Sequence, residues 1–179
     1  MNVFIVGGSK SGKSDFAQQA ALRLAGGGKH YYVATLMPTN CEADRAVIRS
    51  HLDRRAGMGF ETVEQGRNIP DCIRERGATY LLDCVTTLLS NTLYPVEKNY
   101  TLDEAGAEKC ADDLSAFMGS VANAVIVSDD LFRDAVRYDA HTDAFRRHLG
   151  AIHRRLAREC DVVIEMVFGN PVVHRGEWK

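Results

Sequence analysis

NVFIV at residues 2–6 runs straight into GGSKSGKS at residues 7–14. The first stretch is a short apolar run with β-branched side chains, the composition of a strand. The second fits G-x-x-x-x-G-K-[ST] through Gly7, Gly12, Lys13 and Ser14. Glycines let a backbone wrap so that its N–H groups converge on an anion. Residues 13–25 then carry Phe16, Ala20, Leu22 and Leu24 at helical spacing and stop at GGG, 26–28, a strong C-terminal breaker. A helix starting there aims its positive end at the same anion. Strand, glycine loop and helix in that order predict a site for the phosphates of a nucleoside triphosphate. Lys13 is expected on the β- and γ-phosphates and the Ser14 hydroxyl on Mg²⁺. The motif does not name the reaction, because kinases, GTPases and ATPase motors share it. The chain is short for most motors and carries no N-K-x-D guanine signature.

Four further runs resemble the first: YYVAT (31–35), YLLDC (80–84), AVIVS (124–128) and DVVIEMV (161–167). None alternates strictly, so each is read as a strand covered on both faces. Residues 43–55 and 67–76 are charged and amphipathic at helical spacing, and each is read as a helix. Residues 102–119 follow Thr101, read as an N-cap with Glu104 three residues on. Residues 140–159 set Phe145, Leu149, Ile152 and Leu156 on one stripe, which predicts a helix with one buried face. YPVEKNY (94–100) is read as an exposed loop. Strands alternating with helices predict βαβ units. The expected fold is therefore α/β, a three-layer P-loop NTPase-type fold with a mainly parallel sheet flanked by helices. Residues 1–179 are expected to form a single nucleotide-binding domain.

The bulk properties exclude several classes. The formal net charge of -2 and the scattered basic residues speak against a general nucleic-acid binder. No apolar run approaches the ~18 residues of a membrane span, and the first residues do not form a signal peptide. The five cysteines, Cys41, Cys72, Cys84, Cys110 and Cys160, include no C-x-x-C pair. They read as buried free thiols in a reducing compartment, so the expected location is cytoplasmic.

Two residues away from the glycine loop are candidates for chemistry. Asp83 ends the apolar run in YLLDCVTTLLSN (80–91), where ligands gather at the carboxyl ends of parallel strands. It can hold Mg²⁺, accept hydrogen bonds from a base, or cap the element that follows. His51 lies beside the apolar positions Val47 and Ile48, with Arg49, Arg54 and Arg55 around it. A lone histidine is usually structural or solvated, but a neutral imidazole can attack phosphorus and arginines stabilise a phosphoryl group in transfer. His153 is read as an exposed helix residue.

These stretches together resemble the bifunctional adenosylcobinamide kinase / adenosylcobinamide-phosphate guanylyltransferase family of cobalamin biosynthesis. GGSKSGKS is similar to that family's GG-x-x-SGKS, and YVAT (32–35) to its second strand. VIRSHLDRR resembles its RI-x-x-H-x-x-x-R, with His51 and Arg55 in register. FETVE (60–64) resembles W-x-T-x-E, and YLLDCVTTLLSN resembles LL-[DE]-C-[IV]-TT-x-x-x-N.

The resemblance implies two reactions at one nucleotide site. A triphosphate, GTP or ATP, phosphorylates the aminopropanol hydroxyl of adenosylcobinamide. GTP then guanylylates a histidine, and the GMP passes to adenosylcobinamide phosphate to give adenosylcobinamide-GDP. On this resemblance His51 is the nucleophile. Gly7, Gly8, Ser9, Lys10, Ser11, Gly12, Lys13 and Ser14 hold phosphates. Ala34, Thr35 and Leu36, with Leu52, Asp53, Arg54 and Arg55, line the nucleotide. Glu64 and Asp83 contact its base or ribose, and Asp83 alternatively joins Ser14 on Mg²⁺. The resemblance also implies a homo-oligomer, a trimer.

The second half departs from the family's pattern. DDLFRDAVRY (129–138) stands where N-E-V-G-x-G-x-V-P is usual. In AIHRRLA (151–157), His153 and Arg154 replace Asn and Gln. GNP (169–171) keeps the family's closing pattern. Two other readings of the chain remain: a small-molecule kinase without the guanylyltransferase step, and a diverged nucleotide-binding protein without catalysis. Labelling of His51 by GTP separates the first from the bifunctional enzyme, and absence of turnover marks the second.

Overall fold

The structure, a computed structural model, describes residues 1–37, 42, 49 and 55–178. Along the chain it forms β1 Asn2–Gly7, α1 Lys13–Ala25, β2 His30–Ala34, β3 Glu61–Glu64, β4 Thr79–Asp83, α2 Val85–Leu93, α3 Glu104–Met118, β5 Asn123–Asp129, α4 Ala140–Glu159, β6 Val162–Val167 and β7 Asn170–Arg175. The strands make one seven-stranded sheet in the order β3-β2-β4-β5-β1-β6-β7. All neighbouring pairs from β3 to β6 are parallel, and only β7 runs antiparallel, on β6.

The pleat sends alternate side chains to opposite faces. Val3, Ile5, Leu81, Val125 and Val127 pack on one face against Ala17, Ala20 and Ala21 of α1. Phe4, Tyr80, Leu82, Ala124 and Ile126 pack on the other, against Leu88 and Leu89 of α2, Leu114 and Phe117 of α3, and Leu149, Ile152 and Leu156 of α4. Both faces are dry, which is why the strands read as continuous apolar runs. Burial of a side chain such as Leu82 or Ile126, each fully buried, contributes about 1.5–3 kcal/mol.

The helix ends follow local chemistry. Gly26 stops α1 in the left-handed region at φ 54, where its N–H reaches the carbonyls of Leu22 and Arg23. Asp139 caps α4 by accepting from His141 N and Thr142 N, both at 2.9 Å. Thr101 is not the cap of α3. Asp103 takes that place, accepting from Gly106 N at 3.2 Å, because the chain is first tied back by Asp103 N donating to Leu93 O.

Residues 67–76 do not form the expected amphipathic helix. Asn68 sits at φ 48 and Pro70 follows at once, so only a single 3₁₀ turn, Ile69–Cys72, forms and buries Ile69 and Cys72 under α3. The helix expected over 43–55 lies, apart from Arg49 and Arg55, outside the described residues. The 94–100 stretch is exposed from Val96 onward, as expected of a loop, with one 3₁₀ turn at Val96–Lys98.

Candidate nucleotide site

The glycine loop closes where β1 meets α1. Gly7 is required by crowding: a Cβ there would lie 2.6 Å from Ser11 Oγ and 3.0 Å from the Met166 carbonyl. Lys10 at φ 57 and Gly12 at φ 87 take the left-handed region that turns the loop inward. The loop is pinned from outside, with Gly169 N donating to Ser11 O and Asp130 N donating to Gly7 O. Ser11 Oγ is buried with no hydrogen-bond partner among the described residues. A buried hydroxyl left unpaired inside a loop of this shape suits a phosphate oxygen. Lys13 donates to Gly8 O at 3.2 Å and pairs with Asp129 Oδ1 at 2.7 Å, its side chain 11% exposed.

The remaining candidates stand along the carboxyl edge of the sheet. Glu64 is paired with Ala34, Ala34 with Asp83, Asp83 with Val127, and Gly7 with Asp129. A ligand laid across this edge therefore meets Glu64, Asp83 and the loop in turn. Asp83 accepts from the Tyr32 hydroxyl at 2.9 Å. Burial and the Asp83 carboxylate push that hydroxyl far above its ordinary range, so it stays protonated and keeps donating. No side chain caps α2, so Asp83 is not the cap that its position allowed.

Arg55 is 7% exposed and its guanidinium lies 3.4 Å above the Tyr32 ring. Burial pulls it below its ordinary value. One of its nitrogens, Nη1, has no partner among the described residues. Thr35 is fully buried and its hydroxyl is spent on Cys84, donating to the carbonyl at 2.9 Å and accepting from the N–H at 2.8 Å. It positions the turn after β4. Leu36 is half-buried just beyond it. His51, Leu52, Asp53 and Arg54 lie outside the described residues.

For Mg²⁺ the donor chemistry fits. The ion takes one or two carboxylates beside substrate phosphates and keeps several waters. Ser14 at the start of α1 and Asp83 at the strand edge can supply the hydroxyl and the carboxylate. Among the described residues no three His, Cys, Asp or Glu side chains converge as a closed metal cage, and Mg²⁺ beside a triphosphate does not need one.

His153 corrects the expectation of an exposed helix residue. Its ring is half-buried between Phe4, at 5.3 Å, and Phe132, at 5.6 Å between centroids. Its Nε2 is 2.7 Å from Ser128 Oγ, and Ser128 is fully buried. Burial pulls its pKa from 6.5 down to about 4, against the opposing pull of Asp130 and Asp129. Ser128 Oγ in turn meets Thr86 Oγ1 at 3.3 Å, and Thr86 Oγ1 accepts from Asp129 N at 3.0 Å. The chain of contacts ends at the residue that holds Lys13. The sequence reading passed over Asp129, Ser128, Thr86 and Tyr32 as site residues. Only the strand pairing brings them to the loop.

Cys72, Cys110 and Cys160 are buried free thiols, as expected, with burial pushing each up to about 12. Cys84 is free and half-buried, its thiol pushed up to about 11 by burial and by Asp83 and Asp129. Cys41 lies outside the described residues. No described helix is long and apolar enough to cross a membrane.

Comparison with known proteins adds three findings. The family model described as cobinamide kinase / cobinamide phosphate guanyltransferase matches residues 3–173. A search of curated proteins returned no match. Among solved structures the chain is similar to the flagellar accessory protein FlaH from Methanocaldococcus jannaschii, with a TM-score of 0.53 at 11% identity over 99% of this chain and 81% of that one. It is also similar to a solved ATPase domain, with a TM-score of 0.56 at 10% identity over 98% of this chain and 76% of that one. At such identities the likeness shows the α/β P-loop fold alone.

Proposed function

The chain belongs to the cobinamide kinase / cobinamide phosphate guanyltransferase family, and on that premise we propose that it performs two reactions at the nucleotide site just described. It is a kinase and guanylyltransferase of cobalamin biosynthesis. In the first proposed reaction the aminopropanol hydroxyl of adenosylcobinamide attacks the γ-phosphorus of GTP or ATP. The bond to the β–γ bridging oxygen breaks, the nucleoside diphosphate leaves and the hydroxyl proton is released. In the second, a nitrogen of His51 attacks the α-phosphorus of GTP and pyrophosphate leaves. A phosphate oxygen of adenosylcobinamide phosphate then takes the GMP from His51, giving adenosylcobinamide-GDP.

One observation carries the phosphate half of this reading: Lys13 is held inside a glycine loop by Asp129 at 2.7 Å, in the loop whose buried Ser11 hydroxyl has no partner among the described residues. Gly7, Gly8, Ser9, Lys10, Ser11, Gly12, Lys13 and Ser14 hold the phosphates. The loop's N–H groups and the start of α1 orient them. Ser14 and Asp83 hold Mg²⁺, which offsets triphosphate charge when bound. Ala34, Leu36 and Glu64 line the base and ribose along the sheet edge. Leu52, Asp53, Arg54 and Arg55 are nucleotide-binding residues in this reading.

The protein works in the cytoplasm as one nucleotide-binding domain over residues 1–179 and assembles into a homo-oligomer, a trimer on the resemblance. Every residue of β7 is exposed, and Phe168, in the turn before it, is 95% exposed. Such an apolar edge suits burial against another copy. The test of function is mass analysis of corrinoid products after incubation with Mg²⁺ and GTP. Adenosylcobinamide should gain first a phosphate and then GMP. Gain of the phosphate alone leaves a kinase, and no gain overturns the reading.

A further inference from the structure

Beside the nucleotide loop, the 130–138 segment and α4 enclose an open groove of about 870 Å³, within the range of small-molecule sites. Arg147 and Arg154 line it, two turns apart on one face of α4, with Gly150 between them. Gly150 lies on the floor, within ordinary contact of the Phe132 ring and Arg154 Nη1, which a Cβ there would meet at 3.6 and 3.7 Å. Phe132 forms an apolar wall and is 38% exposed.

The charges in the groove are unbalanced. Arg146 is tied down by the Leu131 carbonyl at 3.1 Å and by Asp134 and Asp143 at 3.5 and 3.7 Å. Arg147 and Arg154 have no ion pair or hydrogen bond among the described residues and are exposed. In a chain of formal charge -2, two unpaired guanidinium groups on one wall mark a local demand for an anion. Their planar forks match the oxygens of a phosphate group.

The groove is joined to the nucleotide loop. His153 lines it and meets Ser128, the neighbour of Asp129, at 2.7 Å. Phe132 N donates to Asp130 Oδ1 at 3.1 Å, and Asp130 N donates to Gly7 O at 2.9 Å. Arg133 clamps the same segment to Asp130 and Glu165. Asp130, Arg133, His153 and Arg154 fall in the stretches where the sequence departs from the family's pattern, so these departures converge on one place.

We propose that this groove holds the phosphorylated acceptor of the guanylyl-transfer step, with Arg147 and Arg154 on its phosphate and Phe132 against its apolar part. The proposal rests on the two-step reading above. It assigns these two arginines to specificity: they retain the phosphorylated acceptor and give nothing to the unphosphorylated one.

Equilibrium dialysis of cobinamide phosphate, cobinamide and GTP against wild type and an Arg147→Ala/Arg154→Ala variant tests this. Losing charge-assisted hydrogen bonds should raise the Kd for cobinamide phosphate about tenfold or more, while those for cobinamide and GTP move less than about twofold. An Arg147→Lys/Arg154→Lys variant should recover part of the loss, because charge returns without the fork. An unchanged Kd for cobinamide phosphate in a variant that still binds GTP would overturn the groove and leave the two-step reading standing. Equal weakening for cobinamide and cobinamide phosphate would overturn the phosphate contact. Wild type that binds GTP but no cobinamide phosphate would overturn the two-step reading and the groove together.

Discussion

Replacing His153 with Asn tests the buried imidazole and the network behind it. At neutral pH the ring is uncharged, wedged between Phe4 and Phe132 and bonded to Ser128. Asn cannot fill that space, so wild type should be the more stable by about 1–2 kcal/mol near pH 7.5, from one hydrogen bond and part of a ring's packing. Acid reverses the balance. The folded pKa is about 4 and the ordinary value 6.5, so the unfolded chain binds the proton first and stability falls as pH drops through that window. At about 1.4 kcal/mol per tenfold change in proton affinity, wild type loses about 2 kcal/mol by about pH 5 and about 3 kcal/mol by about pH 4. Asp129 and Asp130, whose charges act on the ring, are present in both proteins and so stay constant in the comparison. Urea unfolding of both proteins at several pH values should show the wild-type advantage vanish or invert by about pH 5. A difference that stays constant with pH would refute the buried, neutral imidazole.

Three further outcomes follow from the site and its frame. Lys13→Ala should weaken GTP binding about tenfold or more by titration calorimetry and barely move the thermal midpoint, since its partner Asp129 is 29% exposed and can hydrate. Gly7→Ala should cost about 1–3 kcal/mol in denaturant unfolding, because the new Cβ meets Ser11 Oγ and the Met166 carbonyl, and GTP binding should fall with it. Asp139→Ala removes the acceptor for His141 N and Thr142 N and should lower the thermal midpoint by about 2–4 °C. Those backbone donors, with the Thr142 hydroxyl, hold the Asp139 carboxyl below its usual range. The cap's contribution is therefore present above that range and lost as pH falls through the folded value.

The elements that the sequence foretold are those with one dominant local signal. The run 124–128 became Asn123–Asp129 because both its faces are covered. Residues 13–25 coincide with α1 because Gly26 can take positive φ where other residues are strained. The misses are tertiary. Residues 85–93 are the exception: Val85, Leu88, Leu89 and Leu93 lie at helical spacing and form the buried face that packs on α3 and β5, a local signal that the prominence of Asp83 just before it masked. β3 is a four-residue edge strand that exists through its pairing with β2. In the site, the glycine loop was legible because its spacing is its geometry. Asp83 was legible as a strand-end carboxylate, though its Tyr32 partner was not. His153 carried a usable signal: it lies four residues after Leu149 and three before Leu156, beside the buried stripe. Asp129 carried the same strand-end signal as Asp83, directly after the 124–128 run, but only the pairing of β1 with β5 places it at Lys13.

The central claim is transfer of GMP through a histidine. Wild type and His51→Ala would be incubated with Mg²⁺ and GTP labelled at the α-phosphate, then quenched and separated. Transfer through His51 predicts an acid-labile, base-stable label on wild type and none on the variant. Wild type that binds GTP yet carries no label, or a variant labelled as fully as wild type, would contradict it.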